Sequence, residues 1–207
     1  MRNLLSSYLT KRRNRIRREK LKNNDFTIIS SECAGGVIYH DLGLRFDSPT
    51  INLWFKPDDY LTFLKNLKYY LKTDALIEDK TSKLGYPVGI LGDEGREIRL
   101  YFQHYNDFED AKEKWNRRKQ RVHLDNLFII MTDRDGATTR TLTEFDKLPY
   151  KNKVVFTEKN YANVKSAYLI RNCNEDDHLG DIFKQNSFTG KSKLDTFDFV
   201  SFLNGEL

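Results

Sequence analysis

Apolar residues along this chain fall into two rhythms, short solid runs and three- or four-residue steps, and from Asp25 onward the two alternate. Solid runs of four to eight residues are what a strand buried on both faces needs, whereas the longer spacing marks one face of a helix. The runs predict strands over Phe26–Ser30, Val88–Leu91, Ile98–Tyr105, Leu127–Met131, Lys153–Phe156 and Ala167–Leu169, and a strand or extended segment over Pro49–Phe55. The spaced pattern predicts helices over Gly35–Asp41, Pro57–Leu71, Asp107–Val122, Thr141–Leu148 and Asp195–Leu203. In the second of these, Pro57 opens the helix, Asp58 and Asp59 fill its first turn, and Tyr60, Phe63, Leu64, Leu67, Tyr70 and Leu71 form the inner stripe. Gly92-Asp93-Glu94-Gly95 joins two runs as a hairpin turn. Strands that alternate with helices imply an α/β fold with a largely parallel central sheet, here with an antiparallel hairpin added.

Ahead of this pattern, residues 1–22 carry a weak helical stripe of Leu4, Leu5, Tyr8, Leu9 and Ile16 under a dense basic coat. The chain therefore divides into a basic N-terminal helix, 1–22, and one α/β domain, 23–207. The helix either packs its few apolar residues on the body or lies on the anionic surface of the inner membrane.

Composition changes the picture in two places. Apolar residues make up 39% of the chain, a modest share, but 14 Phe and 11 Tyr supply enough large side chains for a core. The net charge of +5 comes from the first 22 residues, where nine basic residues face Glu19 alone for a net +8. The rest holds 26 basic and 29 acidic residues, a net −3. A body without a basic stripe argues against nucleic acid as a partner. Two cysteines, Cys33 and Cys173, form no disulfide framework and no Cys-x-x-Cys zinc pair, which fits a cytoplasmic setting. No run approaches the roughly 20 apolar residues of a membrane span, so the expectation is a protein neither secreted nor transmembrane.

Candidate chemistry gathers just after the strands, because ligands of open α/β sheets collect at their carboxyl ends. Ser31, Glu32 and Cys33 follow the first strand; His104 and Tyr105 end the hairpin; Asp133 and Asp135 follow Leu127–Met131. Cys33, before Gly35-Gly36 and a helix, sits where a helix N-terminus would favour a thiolate. In one reading Cys33 attacks an acyl donor such as a coenzyme A thioester, His104 relays the proton, Asp133 orients the imidazole, and N–H groups around Gly35 and Gly36 hold the oxyanion. In the other, Asp133 and Asp135 share a divalent cation on a sugar diphosphate, and Cys33 is structural. Ser31, Tyr105 and Arg118 complete the substrate-binding set, Arg118 by charge-assisted bonds to phosphate. The glycines match neither a phosphate-binding loop nor a dinucleotide fingerprint.

Several motifs occur together: Ser31-Glu32-Cys33-Ala34-Gly35-Gly36, Asp41-Leu42-Gly43, Ser48-Pro49-Thr50, Tyr86-Pro87-Val88-Gly89, His104-Tyr105, Trp115-Asn116-Arg117-Arg118, Asp133-Arg134-Asp135-Gly136 and Leu148-Pro149-Tyr150. In this order, from about Leu21 to Ile170, the chain resembles a bacterial family of unknown function usually labelled exopolysaccharide or capsular polysaccharide biosynthesis protein. That resemblance implies a three-layer α/β sandwich and a cytoplasmic role in making surface polysaccharide, on a sugar or sugar-nucleotide. Glu32 and Ala34 depart from that family, which carries an asparagine before the cysteine and an aromatic after it. The first strand and its turn are also similar to a capsule-locus group associated with coenzyme A and acyl transfer. The expected function is thus a transferase, with acyl transfer through Cys33 ahead of glycosyl transfer. The alternative is a non-catalytic accessory protein held beside the polysaccharide machinery.

Overall fold

A computed structural model describes residues 4–175 and 178–207. Strands β1 (Thr27–Ser30), β5 (Leu127–Thr132), β6 (Asn152–Thr157) and β7 (Ala167–Leu169) form a four-stranded parallel sheet in the order β1-β5-β6-β7. Strands β2 (Leu76–Glu78), β3 (Val88–Leu91) and β4 (Ile98–Tyr101) form a separate antiparallel sheet. Strands β8 (Asn174–Glu175) and β9 (His178–Leu179) pair as a small ribbon. The helices are α1 (Leu4–Lys20), α2 (Ala34–Asp41), α3 (Pro57–Lys65), α4 (Leu67–Lys72), α5 (Phe108–Lys119), α6 (Thr139–Asp146) and α7 (Phe199–Leu203).

Two cores, one on each face of the parallel sheet, explain why its strands read as solid apolar runs. Ile28, Phe128, Ile130, Val154 and Phe156 point to one side, where Ile38 and Tyr39 of α2 and Phe197, Phe199 and Phe202 of the C-terminal segment cover them. Ile29, Ile129, Met131 and Val155 point to the other, beneath α3, α4, α5, α6 and the antiparallel sheet. Successive residues of a strand alternate faces, so burying both faces requires an apolar residue at nearly every position.

Several expectations need extension or correction. The expected hairpin forms as β3 and β4, two strands of a three-stranded sheet, because Leu76–Glu78 adds an edge strand whose Ile77 and Glu78 are exposed and leave only Leu76 as an apolar signal. Strand β4 stops at Tyr101, leaving His104 and Tyr105 in the following turn. Of the two readings of Pro49–Phe55, the strand is absent, and the segment touches the antiparallel sheet through a single bridge, Trp54 to Tyr101. The helix expected over Pro57–Leu71 breaks at Asn66, whose amide Nδ2 donates to the Thr62 carbonyl at 3.2 Å and whose backbone leaves the helical region. A side chain that bonds the helix's own carbonyls competes with the helical ladder. The C-terminal helix likewise divides, into a 3-10 turn at Leu194–Thr196 and α7, which Asp198 caps by accepting from the Ser201 N–H.

Helix α1 meets the body through its polar side. Arg13 and Arg17 reach Asp195, Thr10 and Arg13 donate to the Gly190 carbonyl, and Asn14 donates to Asp41. The Arg17 guanidinium also lies 4.4 Å over the Phe199 ring. Leu4, Leu5, Tyr8 and Ile16 of α1 are left outside, and Leu9 is half-buried.

Candidate functional site

The carboxyl ends of β1 and β5 lie side by side, and the segments leaving them build a cavity of about 470 Å³. Past β1, the ladder continues for one residue as the Ser31 N–H donates to the Ile130 carbonyl at 2.9 Å, and the Ser31 carbonyl accepts from the Phe55 N–H at 3.0 Å. Glu32 and Cys33 follow at once, so the cavity floor is fixed to the sheet. Arg134 and Asp135 come from the turn after β5, His104 and Gln103 from the turn after β4, and Trp54, Tyr86, Asp181 and Phe183 close the walls. A second cavity of about 970 Å³ shares Cys33, His104 and Phe183 with the first. Its other walls are mainly uncharged polar groups, among them Ser6, Thr10, Asn14, Asn52, Gln185 and Asn186.

Glu32 is the most perturbed carboxyl at this site. It is buried, and its Oε1 makes no well-formed hydrogen bond, while Oε2 lies 3.4 Å from Arg134 Nη1. Burial raises it to about 7, against the downward pull of Arg134 and the Thr132 hydroxyl and with a further push from Asp135 and Asp181. A carboxyl poised near neutrality in a cleft is suited to proton transfer.

Cys33 occupies the N-cap of α2 without a side-chain capping bond. Its expected thiolate character is reversed: burial, and then the neighbouring Glu32 charge, push the thiol up to about 11. The helix N-terminus does not offset desolvation next to an acid. Cys33 and His104 do line one cavity, as does Asp135, which stands at its exposed rim.

The remaining expected residues lie behind that wall. Asp133 is buried and does not line the cavity; its Oδ2 accepts from the Glu158 N–H at 2.8 Å and its Oδ1 from the Leu179 N–H at 2.9 Å. Burial raises its carboxyl against these two donors. Asp133 thereby ties the loop after β6 and strand β9 to the end of β5, with each oxygen accepting a backbone N–H. Among the described residues, no three His, Cys, Asp or Glu side chains group to hold a metal ion. The buried Tyr105 hydroxyl donates to the Ile51 carbonyl at 2.9 Å and accepts from Arg118 Nη1 at 2.7 Å, so these two brace the Ile51–Asn52 segment. Arg118 also lies 5.3 Å over the Phe46 ring. Gly35 permits close packing of α2 on β1, since an added Cβ would lie 3.1 Å from both Ile28 Cγ2 and Ser30 Cβ. Gly36 lines the larger cavity.

Trp54, Tyr86, Gln103, Arg134, Asp181 and Phe183 are the lining residues outside the expected set, and Glu32, placed after the first strand, has no role in that set. Glu32 carried a readable signal, an acid placed directly after a buried strand, which must be either paired or perturbed. Trp54 and Tyr86 gave none, because an aromatic residue in an extended stretch reads as core.

No helix among the described residues is long and apolar enough to cross a membrane. A Haemophilus influenzae Rd protein that carries the name "Uncharacterized protein" is 45% identical over 191 residues, covering 92% of this chain and 90% of its own length. Residues 4–204 match the domain of unknown function DUF1919, and the chain belongs to that family.

Proposed function

We propose that the chain is a transferase of surface-polysaccharide biosynthesis acting on a sugar or sugar-nucleotide, with Glu32 as its acid–base group. The observation that carries this reading is the buried Glu32 carboxyl, raised to about 7, in a cavity that also holds Arg134 and Trp54. Trp54, stacked on Tyr101 with ring centroids 4.0 Å apart, supplies an aromatic wall of the kind that packs against the C–H face of a sugar ring. The resemblance to polysaccharide biosynthesis proteins points to the same substrate class.

In the transfer, the Glu32 carboxylate takes the proton of an acceptor hydroxyl as its oxygen bonds to the electrophilic carbon of the donor. The bond from that carbon to the leaving group breaks, the leaving group departs with the electron pair, and Arg134 balances its charge. A second reading is acyl transfer through Cys33, favoured by the thiol and His104 sharing one cavity. There the thiol first passes its proton to a base, because it stays protonated near neutrality.

Incubation with a panel of nucleotide sugars and acyl-coenzyme A thioesters, with products followed by mass spectrometry, tests both. Transfer from a nucleotide sugar that Glu32→Gln lowers by about 100-fold or more, and Cys33→Ala leaves nearly intact, is the expected result. Full activity in Glu32→Gln overturns the role of Glu32. Thioester turnover abolished by Cys33→Ala establishes the second reading instead.

A further inference from the structure

A helix docked on a globular body normally turns its apolar residues inward, and α1 does the reverse. Its inward face is Ser6, Thr10, Arg13, Asn14 and Arg17, bonded to Gly190, Asp41 and Asp195. Outward lie Leu4, 89% exposed, Tyr8, 63% exposed, and Ile16, 38% exposed.

The charges on this side are mostly basic, and Arg15 pairs with Glu19 at 3.7 Å. Lys11, Arg12, Arg15 and Arg18 are exposed there, with Glu19 as the acid among them. The inward Arg13 and Arg17 have their acidic partner in Asp195, whereas the outer row has only Glu19, through Arg15, as an acidic contact among the described residues. Leu4, Tyr8, Lys11, Arg12 and Arg15 follow three- and four-residue steps and therefore share one side of the helix.

We propose that the outward face of α1 is a docking surface for an anionic lipid bilayer. Basic side chains neutralise the headgroups while Leu4 and Tyr8 enter the boundary between headgroups and acyl chains. Nucleic acid would satisfy the charge but leave the aliphatic residues in water. A second copy of the chain would cover the apolar residues but oppose two rows of like charge.

Flotation of the full chain with vesicles decides the matter. Vesicles of phosphatidylcholine with phosphatidylglycerol should carry the protein upward; phosphatidylcholine alone should not, and salt should weaken the binding. Arg12→Glu with Arg15→Glu, and separately Leu4→Ser with Tyr8→Ser, should each lower the bound fraction about tenfold or more, by removing attraction or buried apolar area. All four positions are exposed, and an unchanged melting temperature confirms that each variant folds. No flotation with phosphatidylglycerol, or flotation insensitive to both double variants, overturns the proposal. So does a concentration-dependent dimer in sedimentation, or duplex DNA binding, that the variants abolish while vesicles leave the protein in solution.

Discussion

Between the ordinary carboxyl range and about 7, Glu32 keeps its proton in the folded chain and loses it in the unfolded one, because burial outweighs the pull of Arg134. Over that interval the folded state binds more protons, so stability falls as pH rises and the loss is complete above the folded pKa. A displacement from 4.5 to about 7 corresponds to roughly 3 kcal/mol. Glutamine keeps the shape of the protonated acid without its titration. Thermal denaturation at about pH 5 and about pH 8.5 should therefore show wild type losing stability across the interval and Glu32→Gln holding it; parallel loss in both proteins would assign the pH dependence elsewhere. The same variant should lower the Cys33 pKa, since the Glu32 charge, after burial, raises that thiol. Iodoacetamide alkylation against pH, with Cys173 replaced by Ser, reads this directly.

Elements were easier to read than their ends. Tyr60, Phe63, Leu64, Leu67, Tyr70 and Leu71 are all buried, as their spacing predicts, although the chain breaks between α3 and α4 at Asn66. Periodicity reports which face is buried, and the apolar face survives a break that one asparagine makes. The carboxyl ends of β1 and β5 were legible for the same reason, and with them the neighbourhood of Glu32, Cys33 and Asp135. The inward anchoring of Asp133 was not, because it depends on backbone N–H groups of Glu158 and Leu179, far away in sequence. Gly89 is a comparable case inside β3. It looks like a weak point in a strand, yet an added Cβ would lie 2.8 Å from Phe102 Cε2 and 2.9 Å from Leu76 Cδ1. Its hydrogen atom is the space that lets the antiparallel sheet close on its core. Gly89→Ala should cost about 1–3 kcal/mol by overpacking, measured by urea denaturation. A neutral result would mean that Phe102 and Leu76 can move aside.

At the scale of the whole molecule, the basic helix and the C-terminal segment fold against each other across nearly the full length of the chain. The Lys22 N–H donates to the Asn204 carboxamide oxygen, Lys22 pairs with Glu206, and Arg13 and Arg17 converge on the buried Asp195. The charge segregation of residues 1–22 was plain in the sequence, but the direction in which the helix faces was not, because its acidic partner lies 178 residues away. Burial alone would raise Asp195, yet the Ser192 N–H and the guanidiniums of Arg17 and Arg13 hold its carboxyl below the usual range. A lowered folded pKa gives stability that is present above the unfolded value of 3.8 and lost as pH falls through the folded one. Asp195→Asn removes that contribution and leaves two half-screened arginines without their acid. The variant should lose several kcal/mol at neutral pH, with a flatter acid limb. Trypsin should then cut α1 among Arg12, Arg13, Arg15, Arg17 and Arg18 well before it cuts the sheet-forming residues, because local opening precedes global unfolding where tertiary contacts are few. Equal cleavage rates in wild type and variant would show that the apolar contacts of Leu21 and Phe199, rather than Asp195, hold the helix in place.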